Sequence, residues 1–147
     1  MSVENGVVQG CELCALSVPT VVENDKFSVI IVDDANYPGF CRVIWREHVR
    51  EMSELSRADR LLLNDAVIEV EQALREVMAP TKINLASLGN VVPHLHWHVI
   101  PRYTDDAHFP APVWAAAVRE TDAAVLDARR ALLPQLADAI ARRLNKA

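Results

Sequence analysis

The chain has 147 residues, enough for one domain with a sizeable core. With 51% hydrophobic and 24% charged residues it has the composition of a soluble globular protein, and its formal net charge of −5 argues against a general nucleic-acid-binding surface, which would be basic. No apolar run approaches the roughly 20 residues of a membrane span, and no N-terminal signal peptide is visible, so the expected location is the cytoplasm.

Met1 to Gly10 is polar, contains glycine and lacks periodicity, as a mobile arm would. Cys11-Glu12-Leu13-Cys14 follows at once. A Cys-x-x-Cys pair can be a redox dithiol, half of a zinc site, or two small buried residues. No βαβ pattern surrounds it, which weakens the redox reading, and three cysteines make no disulfide framework. Val21–Glu23 and Phe27–Val32 read as strands about an Asn24-Asp25 hairpin signal. Asp33 to Gly39 is a loop by composition, and Cys41–Trp45 is a third strand. Leu55 to Met78 is the longest helical segment. Ser56 with Asp59 resembles a capping box, and Leu62, Ala66, Val70, Ala73, Leu74 and Val77 recur at helical spacing to face a sheet. Pro80 prevents continuation.

Lys82–Leu88 is a fourth strand, with Ile83 and Leu85 on one side and Asn84 and Ala86 on the other. Beyond Gly89-Asn90 comes His94-Leu95-His96-Trp97-His98-Val99-Ile100. On a strand, alternate residues share a face, so the three histidines form a row with neighbours about 6–7 Å apart, while Leu95, Trp97 and Val99 enter a core. Imidazoles serve near neutral pH as nucleophiles, proton shuttles or metal ligands. The middle one, His96, is flanked by both others and is the nucleophile that geometry favours. A zinc site built on the row is the competing use. Ala115–Glu120 has room for one or two helical turns, and Asp127–Asn145 is mostly helical. Arg142, Arg143 and Lys146 complement its dipole, and Pro134 either kinks it or marks a restart. The whole chain, 1–147, reads as one α+β domain: an antiparallel sheet of about five strands, one long helix packed on it, and a C-terminal helical extension over 121–147.

His-x-His-x-His followed by two apolar residues resembles the signature of the histidine triad (HIT) superfamily of nucleotide hydrolases and transferases. Pro101-Arg102 resembles its fragile-histidine-triad and bacterial dinucleoside-polyphosphate branch, and the likeness runs from about Cys11 to Trp114. It implies a homodimer that cleaves a nucleotide phosphoanhydride bond through a nucleotidyl-histidine intermediate. The alternatives are a nucleoside phosphoramidate hydrolase, a non-catalytic nucleotide-binding protein on the same scaffold, and a small zinc protein whose histidines are only ligands. The resemblance gives His96 the role of nucleophile, His98 that of phosphate or leaving-group contact, and His94 that of orienting the site. It implies phosphate or leaving-group contacts at Asn84 and Asn90, and a ribose contact at Asp33 or its neighbour Asp34. The side chains of Asn84, Asn90 and Asp33 serve equally well as a polar strand residue, a turn residue and a loop cap. No cofactor is needed for the implied chemistry. Some relatives hold a structural zinc with a two-Cys, two-His set, for which Cys11, Cys14, His48 and His94 are the candidates. The family often has a supporting histidine after the Pro-Gly of the loop, where this chain has Phe40. Trp114 is expected in a core or dimer interface, and His108 on the surface.

Overall fold

Alternation of apolar and polar residues builds the central layer of the molecule. The computed structural model describes Val3, Glu4 and residues 7–145. Short strands β1 (Val3–Glu4) and β2 (Val7–Val8) pair antiparallel, so the expected mobile arm carries a small hairpin; Met1, Ser2, Asn5 and Gly6 of that arm lie outside the described residues. Strands β3 (Val22–Glu23), β4 (Phe27–Ile31), β5 (Cys41–Trp45), β6 (Lys82–Ala86) and β7 (His96–Arg102) form one antiparallel sheet in the order β3-β4-β5-β7-β6. The β3–β4 turn is closed by Asn24, whose side-chain oxygen accepts from the backbone N–H groups of Lys26 and Phe27, both at 2.9 Å.

One face of the sheet carries Phe27, Val29, Cys41, Val43, Trp45, Ile83 and Val99, buried against helices α1 (Arg57–Met78) and α3 (Leu133–Leu144). Ser56 caps α1 by accepting from Asp59 N at 3.1 Å, the contact that the sequence pattern suggests. The buried stripe is Leu63, Ala66, Val67, Val70, Ala73, Leu74 and Met78. Leu62, expected inward, is 41% exposed, and Leu63 takes its place. Three consecutive leucines leave the phase of the stripe undetermined until the sheet selects it. A fully buried leucine contributes about 1.5–3 kcal/mol, so the phase chosen is the one that inserts Leu63 and Val67.

The C-terminal region is two helices. Helix α2 (Ala123–Arg130) starts four residues before the expected Asp127, capped by the Asp122 side chain, and α3 restarts with Pro134 in its first turn. Residues 115–120 form no helix, and Lys146 lies outside the described residues. No described helix is long and apolar enough to cross a membrane.

Candidate functional site

The opposite face of the sheet carries the chemistry. The β5–β7 register sets Arg42 beside His98 and Ile44 beside His96. Each histidine is 7% exposed, with ring centroids 4.9 Å apart and planes at 79°. His96 Nδ1 bonds to the carbonyl oxygen of His94, so it carries the proton and leaves the lone pair on Nε2. Burial lowers the pKa of His96, and the Arg42 charge adds to that. Burial, with the His96 and Arg42 charges, pushes His98 down to about 4. Both rings are therefore neutral at pH 7, the state in which His96 is a nucleophile.

Strand β7 begins at His96, so His94 stands ahead of it. Its segment still joins the ladder through Leu95 N to Val49 O (2.8 Å) and Trp45 N to Leu95 O (3.1 Å). His94 is wholly buried and its Nε2 bonds to the Trp45 carbonyl, which turns a bare Nδ1 away from the row. That nitrogen lies 3.4 Å from Cys14 Sγ, 3.5 Å from Cys11 Sγ and 3.2 Å from His48 Nδ1, and Cys14 Sγ is 3.4 Å from His48 Nδ1. The four donor atoms lie within 4.8 Å of one another. A zinc ion with sulfur at about 2.3 Å and nitrogen at about 2.0 Å sets tetrahedral edges of about 3.5 Å between sulfur and nitrogen and about 3.3 Å between nitrogens. The donor set fits a tetrahedral metal, and the Trp45 carbonyl behind His94 holds that ring with Nδ1 toward the other donors. Val8 N donates to Cys14 Sγ at 3.3 Å, tying β2 to the same cluster, and burial raises the Cys14 pKa.

His96 and His98 open into a cleft of about 470 Å³, with Asn90, Leu88, Val91, Glu12 and Trp114 on its walls. A second cavity of about 560 Å³ adjoins it, lined by Leu16, Pro19, Val21, Ile30, Val32 and Asp33. Glu12, Leu13 and Arg42 line both. Asp34 is spent on its own turn, accepting from Asn36 N and Tyr37 N, and is not among the lining residues. Asn84 is also committed elsewhere: its side-chain oxygen accepts from Arg102 Nη1 at 2.7 Å, and it does not line the cleft.

Phe40 meets His98 edge-on, 5.6 Å between centroids at 90°, and His98 Nδ1 is buried with no hydrogen-bond partner among the described residues. Packing, not a hydrogen bond, supports this ring. Trp114 is not in the core: it is 53% exposed and lies 5.1 Å from His98 in the cleft. Its loop is held by Asp106, which accepts from Arg102 Nε (2.7 Å), Arg102 Nη2, Tyr37 Oη and the N–H groups of Tyr103, His108 and Phe109. His108, expected on the surface, is half-buried: it stacks on Tyr37 and its Nδ1 lies 2.6 Å from the tyrosine hydroxyl. Arg42 is the cleft residue that sequence reasoning missed. Its one signal is a lone charge within an otherwise apolar strand.

The HIT domain profile matches residues 18–105. A histidine triad protein of Bradyrhizobium japonicum superposes with a TM-score of 0.68 at 29% identity, covering 86% of this chain and 90% of that one. A histidine triad protein of Marinobacter aquaeolei VT8 gives 0.69 at 27% identity, with 90% and 97% covered. A Zn-bound histidine triad family protein of Mycobacterium smegmatis shares the fold, with a TM-score of 0.57 at 20% identity over 88% and 97% of the two chains. No curated protein matches the chain.

Proposed function

We infer function from a premise of kinship: the chain belongs to the HIT domain family. The reading that the site supports best is a nucleotide hydrolase or nucleotidyl transferase cleaving a phosphoanhydride bond, as in dinucleoside polyphosphates. The observation that carries it is the His96 tautomer, with Nε2 unprotonated in a cleft beside an apolar cavity that ends in an acidic residue. A base fits the apolar cavity, and the Asp33 carboxylate accepts from ribose hydroxyls at its rim. The His96 Nε2 lone pair then attacks phosphorus. The N–P bond forms, and the P–O bond to the leaving phosphate breaks, its electron pair departing with the oxygen. Water attacks second: an O–P bond forms, the N–P electron pair returns to His96, and the water proton leaves to solvent. Neutral His98 donates a hydrogen bond to the phosphate or leaving oxygen, and Asn90 is a second donor from the cleft wall.

His98 favours the anhydride over the phosphoramidate alternative. A phosphate leaves without a proton, whereas an amine needs one, and a ring pushed down to about 4 holds no second proton to give at pH 7. Brief incubation with a dinucleoside polyphosphate, acid-free quenching and mass spectrometry should find a nucleotidyl adduct on His96. No adduct, with His96→Ala still turning over, would remove the mechanism.

Zinc belongs to this reading as a structural ion held by Cys11, Cys14, His48 and His94. When bound it would tie the N-terminal segment to the base of the histidine strand and fix His94 beside the nucleophile. Elemental analysis should find about one zinc per chain, with affinity falling as pH drops because both thiols bind as thiolates. The three free cysteines suit a reducing compartment such as the cytoplasm. A homodimer is supported by the open edge strand β6, where Leu85 is 39% exposed, and by Leu61 and Ile68, 53% and 43% exposed on α1. Light scattering at micromolar concentration should give twice the chain mass; one chain mass would end that assignment.

A further inference from the structure

Among the described residues, Arg42 is a cation with no acceptor to hold. Arg42 lies on β5 directly across the ladder from His98, where side chains of paired residues stand about 5 Å apart. Among the described residues it makes no ion pair, and its Nε is buried without a hydrogen-bond partner. Its contact is the Phe40 ring, 5.9 Å from the guanidinium carbon. The fully buried guanidinium of Arg102 behaves differently: it has its donors on Asp106, Asn84 and Ala111 O. A buried donor without an acceptor costs stability, and a cation beside two imidazoles gains nothing from them. Glu12 lines the same walls but forms no ion pair with Arg42.

Position supplies what is missing. Arg42 borders both cavities, whereas Asp33 borders only the apolar one and His96 and His98 only the cleft. A ligand spanning from Asp33 to His96 must pass it. A planar fork of N–H donors at such a point matches the oxygens of a phosphate. We propose that Arg42 binds the first phosphate of the substrate at the junction of the two cavities, and that this contact selects phosphorylated nucleosides over nucleosides. The proposal rests on the nucleotide reading above. It makes Arg42 a binding residue and assigns the apolar cavity to the base and ribose.

Calorimetric titration of the whole chain with AMP, adenosine and inorganic pyrophosphate tests this. The parent should bind AMP more tightly than adenosine. Arg42→Gln should lose AMP and pyrophosphate affinity by about 10- to 100-fold, the range for a charge-assisted bond, and keep its adenosine affinity. Arg42→Lys should recover part of the loss. If glutamine lowers the melting temperature sharply, Arg42→Met, which keeps the aliphatic stem in the sheet, takes its place. Equal loss for AMP and adenosine, or no loss for either, overturns the proposal. If the parent binds pyrophosphate through Arg42 but not AMP, the anion site stands and the nucleotide reading falls. Binding of none of the three probes ends both.

Discussion

Two buried polar clusters flank β7, and they are finished in opposite ways. At the C-terminal end, Arg102 and Asp106 are 2% and 1% exposed, and the carboxylate is met by side-chain and backbone donors on every side. At the N-terminal end, Arg42 and His98 each leave a buried nitrogen without a partner, and His96 presents a lone pair to a cleft. A cluster that only holds a loop satisfies its groups, because each orphan would cost stability. A cluster that must receive a ligand keeps groups vacant and draws the stability from elsewhere. Polar burial alone therefore does not mark a site in this molecule; unspent donors and acceptors beside a cavity do.

The contrast can be broken from either end. His96→Ala should lower turnover by about 10⁴-fold or more, as loss of a nucleophile does, and barely move the melting temperature. Asp106→Ala should do the reverse: leaving Arg102 buried and unpaired costs about 3–5 kcal/mol of stability, read by urea unfolding. Turnover per folded molecule should fall less, through displacement of Trp114. An Asp106→Ala chain as stable as the parent would show that the cluster is ornamental.

How far this was legible in the sequence differs between the two ends. The histidine period of two, the β5 run and the Ser56 cap are local patterns, and they give the strand faces, the sheet and the long helix. The Cys11, Cys14, His48 and His94 set was legible by residue type, and folding brings the four donors to one point. Arg42 was not legible, because its importance depends on the β5–β7 register and on two cavities made by distant segments. Asp106 was hidden for a related reason. It sits in an aperiodic loop next to another aspartate, and nothing local tells which of Asp105 and Asp106 turns inward. The bond from Arg102 to Asn84 was not legible, because Arg102 comes from the neighbouring strand.

Acid should separate the clusters. For His98 the folded value, about 4, is below that of an unfolded histidine, about 6.5, so the unfolded chain takes up the proton first. Stability tied to His98 is complete above pH 6.5 and is lost as pH falls to about 4, by about 3 kcal/mol at most. At Asp106 burial would raise the carboxyl, but Arg102 and the backbone donors outweigh it and hold it well below the usual carboxylate range. Its contribution survives to about pH 4 and is lost only below that. Unfolding free energy against pH for the parent and His98→Asn should thus diverge between pH 6.5 and 4. Parallel curves there would mean that His98 titrates normally.

The smallest effect tests whether the unfinished cluster is tunable. Phe40 fills the volume beside His98 without offering it an acceptor or donor, and Nδ1 of that ring goes unpaired. No described protein group therefore selects its tautomer. Phe40→His would place a ring nitrogen on that side of His98. It gives up apolar contacts with Tyr37 and Ile100, so stability should fall by about 1 kcal/mol. In return His98 should settle into one tautomer, visible in its nitrogen-15 shifts, and turnover should change by about tenfold or less, since the nucleophile is untouched. If the shifts of His98 are those of a single tautomer in the parent already, the ring is fixed by packing against Phe40 and Trp114 alone. The vacancy would then belong to Arg42, and the ligand contact to its guanidinium.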